Sequence, residues 1–143
     1  MRAIDLTLKL LGLADVICKW QAMMTRLDKA RRLKVARYAL RIAESLARLA
    51  AALERLEADA TDRTARRGAL REVGRLAGYM ETMVTALRGH VDGRSLAGVE
   101  RRLQGLSVDD IISVKPTGEP PRHIERIVAA EGYMRALADS LQA

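Results

Sequence analysis

The sequence predicts an all-α protein, an antiparallel up-and-down bundle of about four helices plus a C-terminal brace helix. Three observations predict this class. Ala, Leu and Arg, which favour helix, dominate the 143-residue chain, and aromatic residues make up only 3%. Apolar residues recur in alternating steps of three and four along three long stretches, as they do on one face of a helix. The three prolines lie together within residues 116–121, so none of them breaks an earlier helix.

The first predicted helix covers residues 2–27. Its apolar seam follows the helical period without a miss and comprises Leu6, Leu10, Leu13, Ile17, Trp20, Met24 and Leu27. Ile4, Leu8 and Leu11 form a second apolar stripe, and Val16 also lies off the first seam. A helix that is apolar on two sides is either central in a bundle or able to leave it for another apolar phase.

The second helix is expected to begin after Asp28, a predicted N-cap, and to end near residue 58. Its seam comprises Val35, Ala39, Ile42, Leu46, Leu49, Leu53 and Leu56. Either Thr61 or Asp62 would cap the third helix, which is expected to reach residue 91. The seam of that helix comprises Leu70, Val73, Ala77, Met80, Val84, Leu87 and Val91. Gly74 and Gly78, four residues apart on one face, predict close packing against a neighbouring helix.

The chain after residue 91 predicts two shorter helices. Ser95 would cap a fourth helix, which completes a bundle over residues 1–114. A proline-rich loop over residues 115–121 follows, and a helix over residues 122–143 is expected to pack on the bundle. Pro121 is well placed in the first turn of this last helix. Its apolar face comprises Ile124, Ile127, Val128, Met134, Leu137 and Leu141.

The net charge of +7 belongs to the first two thirds of the chain, and such a field attracts anionic partners. Lys34, Arg41, Arg48 and Arg55 recur every seven residues beside the apolar seam of the second helix. Arginine forks bind phosphate, whether on lipid or on nucleic acid. The predicted anion-binding residues are Lys34, Arg37, Arg41, Arg48, Arg55, Arg63, Arg66, Arg67 and Arg71. The alternative is a charged face that serves solubility alone.

Neither an enzymatic nor a metal-binding pattern is present. His90 and His123 are the only histidines, and neither has a cysteine or carboxylate at ligand spacing. Cys18, the single cysteine, is expected to be a small buried hydrophobe, and a reducing cytosol is the expected compartment. We therefore expect no catalytic residue, no metal, no cofactor and no small-molecule substrate. The longest apolar runs are far too short to span a bilayer.

Several segments resemble a known family. The apolar "LGLADVI", the basic "KARRL" at the next helix start and "ALREVGRL" in the third helix occur in the order seen in that family. Over residues 1–106 the chain resembles the HeLo-type and Bell-type four-helix bundles of cell-death proteins, including the N-terminal bundles of mixed-lineage kinase domain-like pseudokinases. The resemblance implies an effector that oligomerises and permeabilises membranes. The excess of arginine over lysine indicates a bacterial source, and hence a role in defence.

The sequence therefore predicts a cytoplasmic cell-death effector that is recruited to the inner face of the plasma membrane. Its basic face would attract anionic lipids, and its first helix would enter the membrane as the protein oligomerises. The predicted membrane-active residues are Ile4, Leu8, Leu11, Leu13, Val16 and Trp20. One alternative is a basic bundle that binds RNA or DNA non-specifically as an accessory subunit. Another is an adaptor that binds an acidic protein.

Overall fold

The computed structural model describes residues 21–90 and 121–142, and within these ranges the regular structure is entirely helical. The helices are α1 (Gln21–Met24), α2 (Lys29–Ala58), α3 (Arg63–Leu87) and α4 (Pro121–Gln142). The all-α prediction is confirmed. The predicted membrane-active residues, the predicted fourth helix and Cys18 lie outside the described residues. Of the predicted first helix, only its C-terminal end can be described.

Helix α2 has the predicted bounds, and its start is capped by Asp28 as the sequence suggests. The Asp28 carboxylate accepts a hydrogen bond from the backbone N–H of Arg31 at 3.3 Å. At the other end, the N–H of Asp59 donates to the carbonyl of Arg55 at 2.9 Å. All seven predicted seam residues of α2 are buried, so the periodicity correctly identified the face that packs into the core.

The turn between α2 and α3 is held by two aspartates. Asp62, and not Thr61, is the N-cap of α3, since its carboxylate accepts from the N–H of Ala65 at 3.0 Å. Thr61 instead donates through Oγ1 and through its backbone N–H to Asp59 Oδ1, at 2.6 and 3.0 Å. These two bonds hold the pKa of Asp59 below its ordinary value, and the bond from the hydroxyl has the larger effect.

Helix α3 ends at Leu87, four residues earlier than predicted. Gly89 has a φ of 83°, a left-handed conformation that glycine adopts readily and that helices use to end. His90 lies in this turn, where its backbone N–H donates to the carbonyl of Leu87 at 2.9 Å.

Helix α2 packs along both α3 and α4 and runs antiparallel to each. Near its start, the Arg31 guanidinium contacts the His90 ring, just beyond the end of α3. Beside it, Arg32 Nε donates to the carbonyl of Leu141 in the last turn of α4 at 3.0 Å. Two adjacent arginines therefore interact with the C-terminal ends of two helices, where backbone carbonyls concentrate negative potential.

The core lies along α2, and every helix contributes to it. Fully buried side chains include Met24, Ile42, Leu46, Leu76, Met80, Met83, Leu87, Met134 and Leu141. Several methionines thus fill the core as expected, because their flexible side chains fit irregular gaps. Burying a side chain of this size contributes about 2 kcal/mol.

One packing prediction is wrong, and a second finds no partner among the described helices. Val128 is 51% exposed, because the buried face of α4 runs through Ile127 and the next residue is rotated about 100° away. A Cβ atom placed on Gly74 or Gly78 would meet no atom of the described structure within 4 Å. These glycines therefore do not mediate close helix packing within the described ranges. The core-facing side of α3 is built by larger residues such as Met80.

Candidate anion-binding surface

One solvent-facing side of α2 carries a row of cations that we call the basic ladder: Lys34, Arg37, Arg41, Arg48 and Arg55. All five residues are exposed. They lie beside the buried seam and face solvent, as their spacing predicts. With a rise of 1.5 Å per residue, the first and last members are about 32 Å apart along a single helix. The structure thus presents the predicted cations of α2 together, in one line.

The basic ladder dominates the charge of its helix. Within Lys29–Ala58 there are eight lysines and arginines and three glutamates. One of the glutamates, Glu44, is exposed and lies four residues before Arg48, the spacing of a local ion pair. Arg48 nevertheless pairs with a carboxylate on α3.

The predicted arginines of α3 divide into two groups. Arg63, Arg67 and Arg71 are exposed and follow one another at intervals of four, so they share one face of α3. Arg66 is half-buried and lies on a different side of the helix. Sequence spacing therefore groups three of these four residues into one basic surface and separates the fourth.

A row of three residues fixes the register between α2 and α3, and the sequence analysis did not identify it. Tyr38, Ser45 and Ala52 are seven residues apart and all face α3. The ring of Tyr38 is 6.1 Å from that of Tyr79, and Ala52 Cβ is 4.0 Å from the position of a Cβ on Gly68. Ser45, in the middle, contacts a glutamate. This row lies beside the basic ladder, so the ladder follows the groove between the two helices.

Glu72 is the buried acidic residue of the described structure, only 4% exposed. Its Oε1 accepts from Ser45 Oγ at 3.0 Å and from Arg48 Nε at 3.0 Å. Arg75 Nη1 donates to both carboxylate oxygens, at 3.3 and 3.1 Å. Ser45 itself is fully buried, whereas the arginine side chains are 48% and 45% exposed. A buried carboxylate needs such partners, because desolvating an unpaired charge costs several kcal/mol.

We call Ser45, Arg48, Glu72 and Arg75 the Glu72 network. The apolar periodicity of the sequence did not indicate it, because that pattern takes no account of polar residues within a buried face. Glu72 directly precedes the seam residue Val73. Equal counting from the turn does not place Glu72 opposite Ser45, because Ser45 lies 13 residues before the end of α2 (58 − 45) and Glu72 lies nine residues after the start of α3 (72 − 63).

The members of the basic ladder differ in what they contact. Arg55 Nη2 is 3.1 Å from Asp62 Oδ2 at the turn, and the Arg41 guanidinium lies 5.2 Å from the centre of the Tyr38 ring. Within the described ranges, Lys34 and Arg37 have no acidic partner. The end of the ladder near the start of α2 is therefore the end with uncompensated charge.

Other kinds of site are not found in the described helices. No group of three histidine, cysteine or acidic side chains there could hold a metal ion. None of the same helices is both long enough and apolar enough to cross a membrane. Arginine guanidinium groups are suited to binding anions such as phosphate.

Neither a family model, nor a curated protein, nor a solved structure matches this chain. The functional conclusion therefore depends on the basic surface and on the sequence pattern.

Proposed function

We propose that this protein attaches to anionic membranes through the basic ladder, as the targeting step of a membrane-permeabilising cell-death effector. The observation that supports this proposal is the row of five exposed cations along about 32 Å of one helix. A flat headgroup layer can follow this row when the helix lies in its plane, and Lys34, Arg37 and Arg41 can then meet it directly. Each basic residue near such a surface contributes about 1 kcal/mol.

The later steps of the proposal concern the first helix. In the proposed resting state this helix completes a four-helix bundle, and α4 acts as its brace. At the inner face of the plasma membrane, Ile4, Leu8 and Leu11 would enter the lipid while several copies of the chain assemble. The support for these steps is the double apolar stripe in the sequence and the resemblance to HeLo-type bundles.

A second candidate is non-specific binding of single-stranded nucleic acid. The observation that favours it is the Tyr38–Tyr79 pair beside Arg41, an aromatic cluster next to phosphate-binding cations. Both rings are half-buried and one already lies under the guanidinium, which leaves little ring surface for bases to stack on. We therefore favour the membrane.

The test is co-sedimentation of the full chain with phosphatidylcholine vesicles that contain phosphatidylserine. The variant Arg37→Gln/Arg41→Gln removes two charges from the basic ladder. Its matched control, Arg126→Gln/Arg135→Gln, removes two exposed arginines from α4. At about 1 kcal/mol per charge, the ladder variant is expected to bind about 30-fold more weakly than the wild type. The control is expected to change binding less than about threefold, because its charges lie off the ladder.

Three further results decide between the candidates. Equal losses for the two variants would show attraction by net charge alone and would contradict the proposal. Gel shifts of single-stranded RNA without vesicle binding would establish the second candidate, with an affinity that falls linearly on logarithmic axes as salt rises. Release of a trapped dye tests permeabilisation: Leu8→Gln/Leu11→Gln is expected to retain vesicle binding but lose leakage.

A further inference from the structure

In the Glu72 network one buried carboxylate binds two half-exposed arginines, Arg48 of the basic ladder and Arg75 of α3. Arg48 is the ladder member that reaches Glu72, and Arg75 meets the same carboxylate from α3. Both donate to one carboxylate oxygen, Glu72 Oε1, at 3.0 and 3.3 Å. Their side chains are nevertheless about half exposed, so they reach the surface while their inner N–H groups stay occupied.

Removing these two arginines would leave the buried carboxylate of Glu72 without its cationic partners. If Arg48 and Arg75 turned outward to an external anion, the carboxylate would keep only Ser45 as a partner inside the groove. An uncompensated buried charge destabilises a fold by several kcal/mol, more than two surface contacts return. Release of the arginines therefore requires that Glu72 reach water, and Glu72 reaches water when α2 and α3 move apart.

The choice of partner by Arg48 supports this interpretation. Glu44, one turn earlier on the same exposed face, is a carboxylate that Arg48 could reach with little strain. The structure pairs Arg48 with the distant Glu72, 24 residues along the chain. Arg48 therefore pairs with Glu72 because a buried carboxylate without a cationic partner is unfavourable, and not because of the spacing of residues along α2.

We infer that Glu72 is an internal counter-anion that withholds Arg48 and Arg75 from an anionic membrane surface until the α2–α3 hairpin opens. This inference rests on the proposed function and adds an autoinhibitory contact to it. In the closed hairpin, the surface binds through Lys34, Arg37 and the other ladder charges. Opening adds two more forked phosphate ligands, so tight binding and hairpin opening favour each other.

The test compares two charge-neutralising variants in the same vesicle assay. Glu72→Gln keeps a neutral acceptor in place of Oε1 but removes the negative charge that holds both arginines. Glu44→Gln removes an equal charge from the exposed face. Glu72→Gln is expected to bind about 30-fold more tightly than the wild type, as two freed cations would provide. Glu44→Gln is expected to bind less than about threefold more tightly.

A triple variant identifies the source of the gain. Adding Arg48→Gln and Arg75→Gln to Glu72→Gln is expected to abolish the tighter binding. Equal gains for Glu72→Gln and Glu44→Gln would overturn the inference, and so would a gain that survives in the triple variant. If the wild type and every variant fail to bind anionic vesicles, the proposed function itself fails, which is a different result. Circular dichroism melting of each variant excludes an effect of unfolding.

Discussion

Gly74→Ala and Gly78→Ala are each expected to stabilise the protein. Both glycines lie inside α3, where glycine costs about 1 kcal/mol relative to alanine because of its backbone freedom in the unfolded chain. The new methyl group would meet no described atom within 4 Å at either position, so the described helices impose no steric cost against this gain. The double variant is expected to gain about 2 kcal/mol, because the two methyl groups share no partner.

Thermal unfolding followed by circular dichroism measures this effect. For a chain of this size, 2 kcal/mol corresponds to a rise in melting temperature of about 7 °C. Gly89→Ala is the control: its φ of 83° strains any residue with a Cβ, so a loss of about 1 kcal/mol is expected. Destabilisation by the α3 double variant would refute the reasoning, since it would mean that these glycines do provide a close contact, as their spacing first suggested.

Two further predictions concern the hairpin. Glu72→Ala is expected to lower the free energy of unfolding by about 2 kcal/mol through lost hydrogen bonds and packing, whereas Glu72→Leu is expected to stay within about 1 kcal/mol of the wild type. Urea titration measures both, and an equal loss in the leucine variant would show that the ionic contacts themselves hold the helices together. Folding lowers the pKa of Asp59 below its ordinary value of 3.8. The charged Asp59 carboxylate therefore stabilises the fold above pH 3.8, and this stabilisation is lost as the pH falls through the folded-state pKa. The wild type should therefore be more stable than Asp59→Asn at pH 6, and urea titrations in which this advantage does not shrink as the pH is lowered would contradict the assignment.

Local chemistry made much of α2 predictable. Its cap at Asp28 and its buried seam both depend on interactions within a few residues or on the helical period, and both are visible in the sequence. The exposure of the basic ladder agrees with its charge, since lysine and arginine side chains are seldom fully buried. Spacing alone does not decide it, because Ser45 belongs to a neighbouring row with the same seven-residue spacing and is buried. The end of α3 was harder to predict, because the apolar pattern continues to Val91 while Gly89 already ends the helix.

Contacts between helices were less predictable. Gly74 and Gly78 have the spacing of a close-packing motif, yet in the described structure nothing packs on them, since spacing defines a face but not what lies against it. Val128 was assigned to the core because it is apolar, and the rotation of α4 leaves it half exposed. Such outcomes depend on how one helix is turned toward another, a property that no single segment encodes.

By itself, the sequence determined that this protein is helical, where α2 begins and ends, and that a line of cations follows one face of α2. These are properties of a single helix, governed by capping and by a period of 3.6 residues. Only the tertiary structure decided which of the cations are restrained. It placed Glu72 opposite Ser45 and turned Arg48 away from its local carboxylate, because a charge buried between two helices must be neutralised by whatever the opposite helix brings within reach.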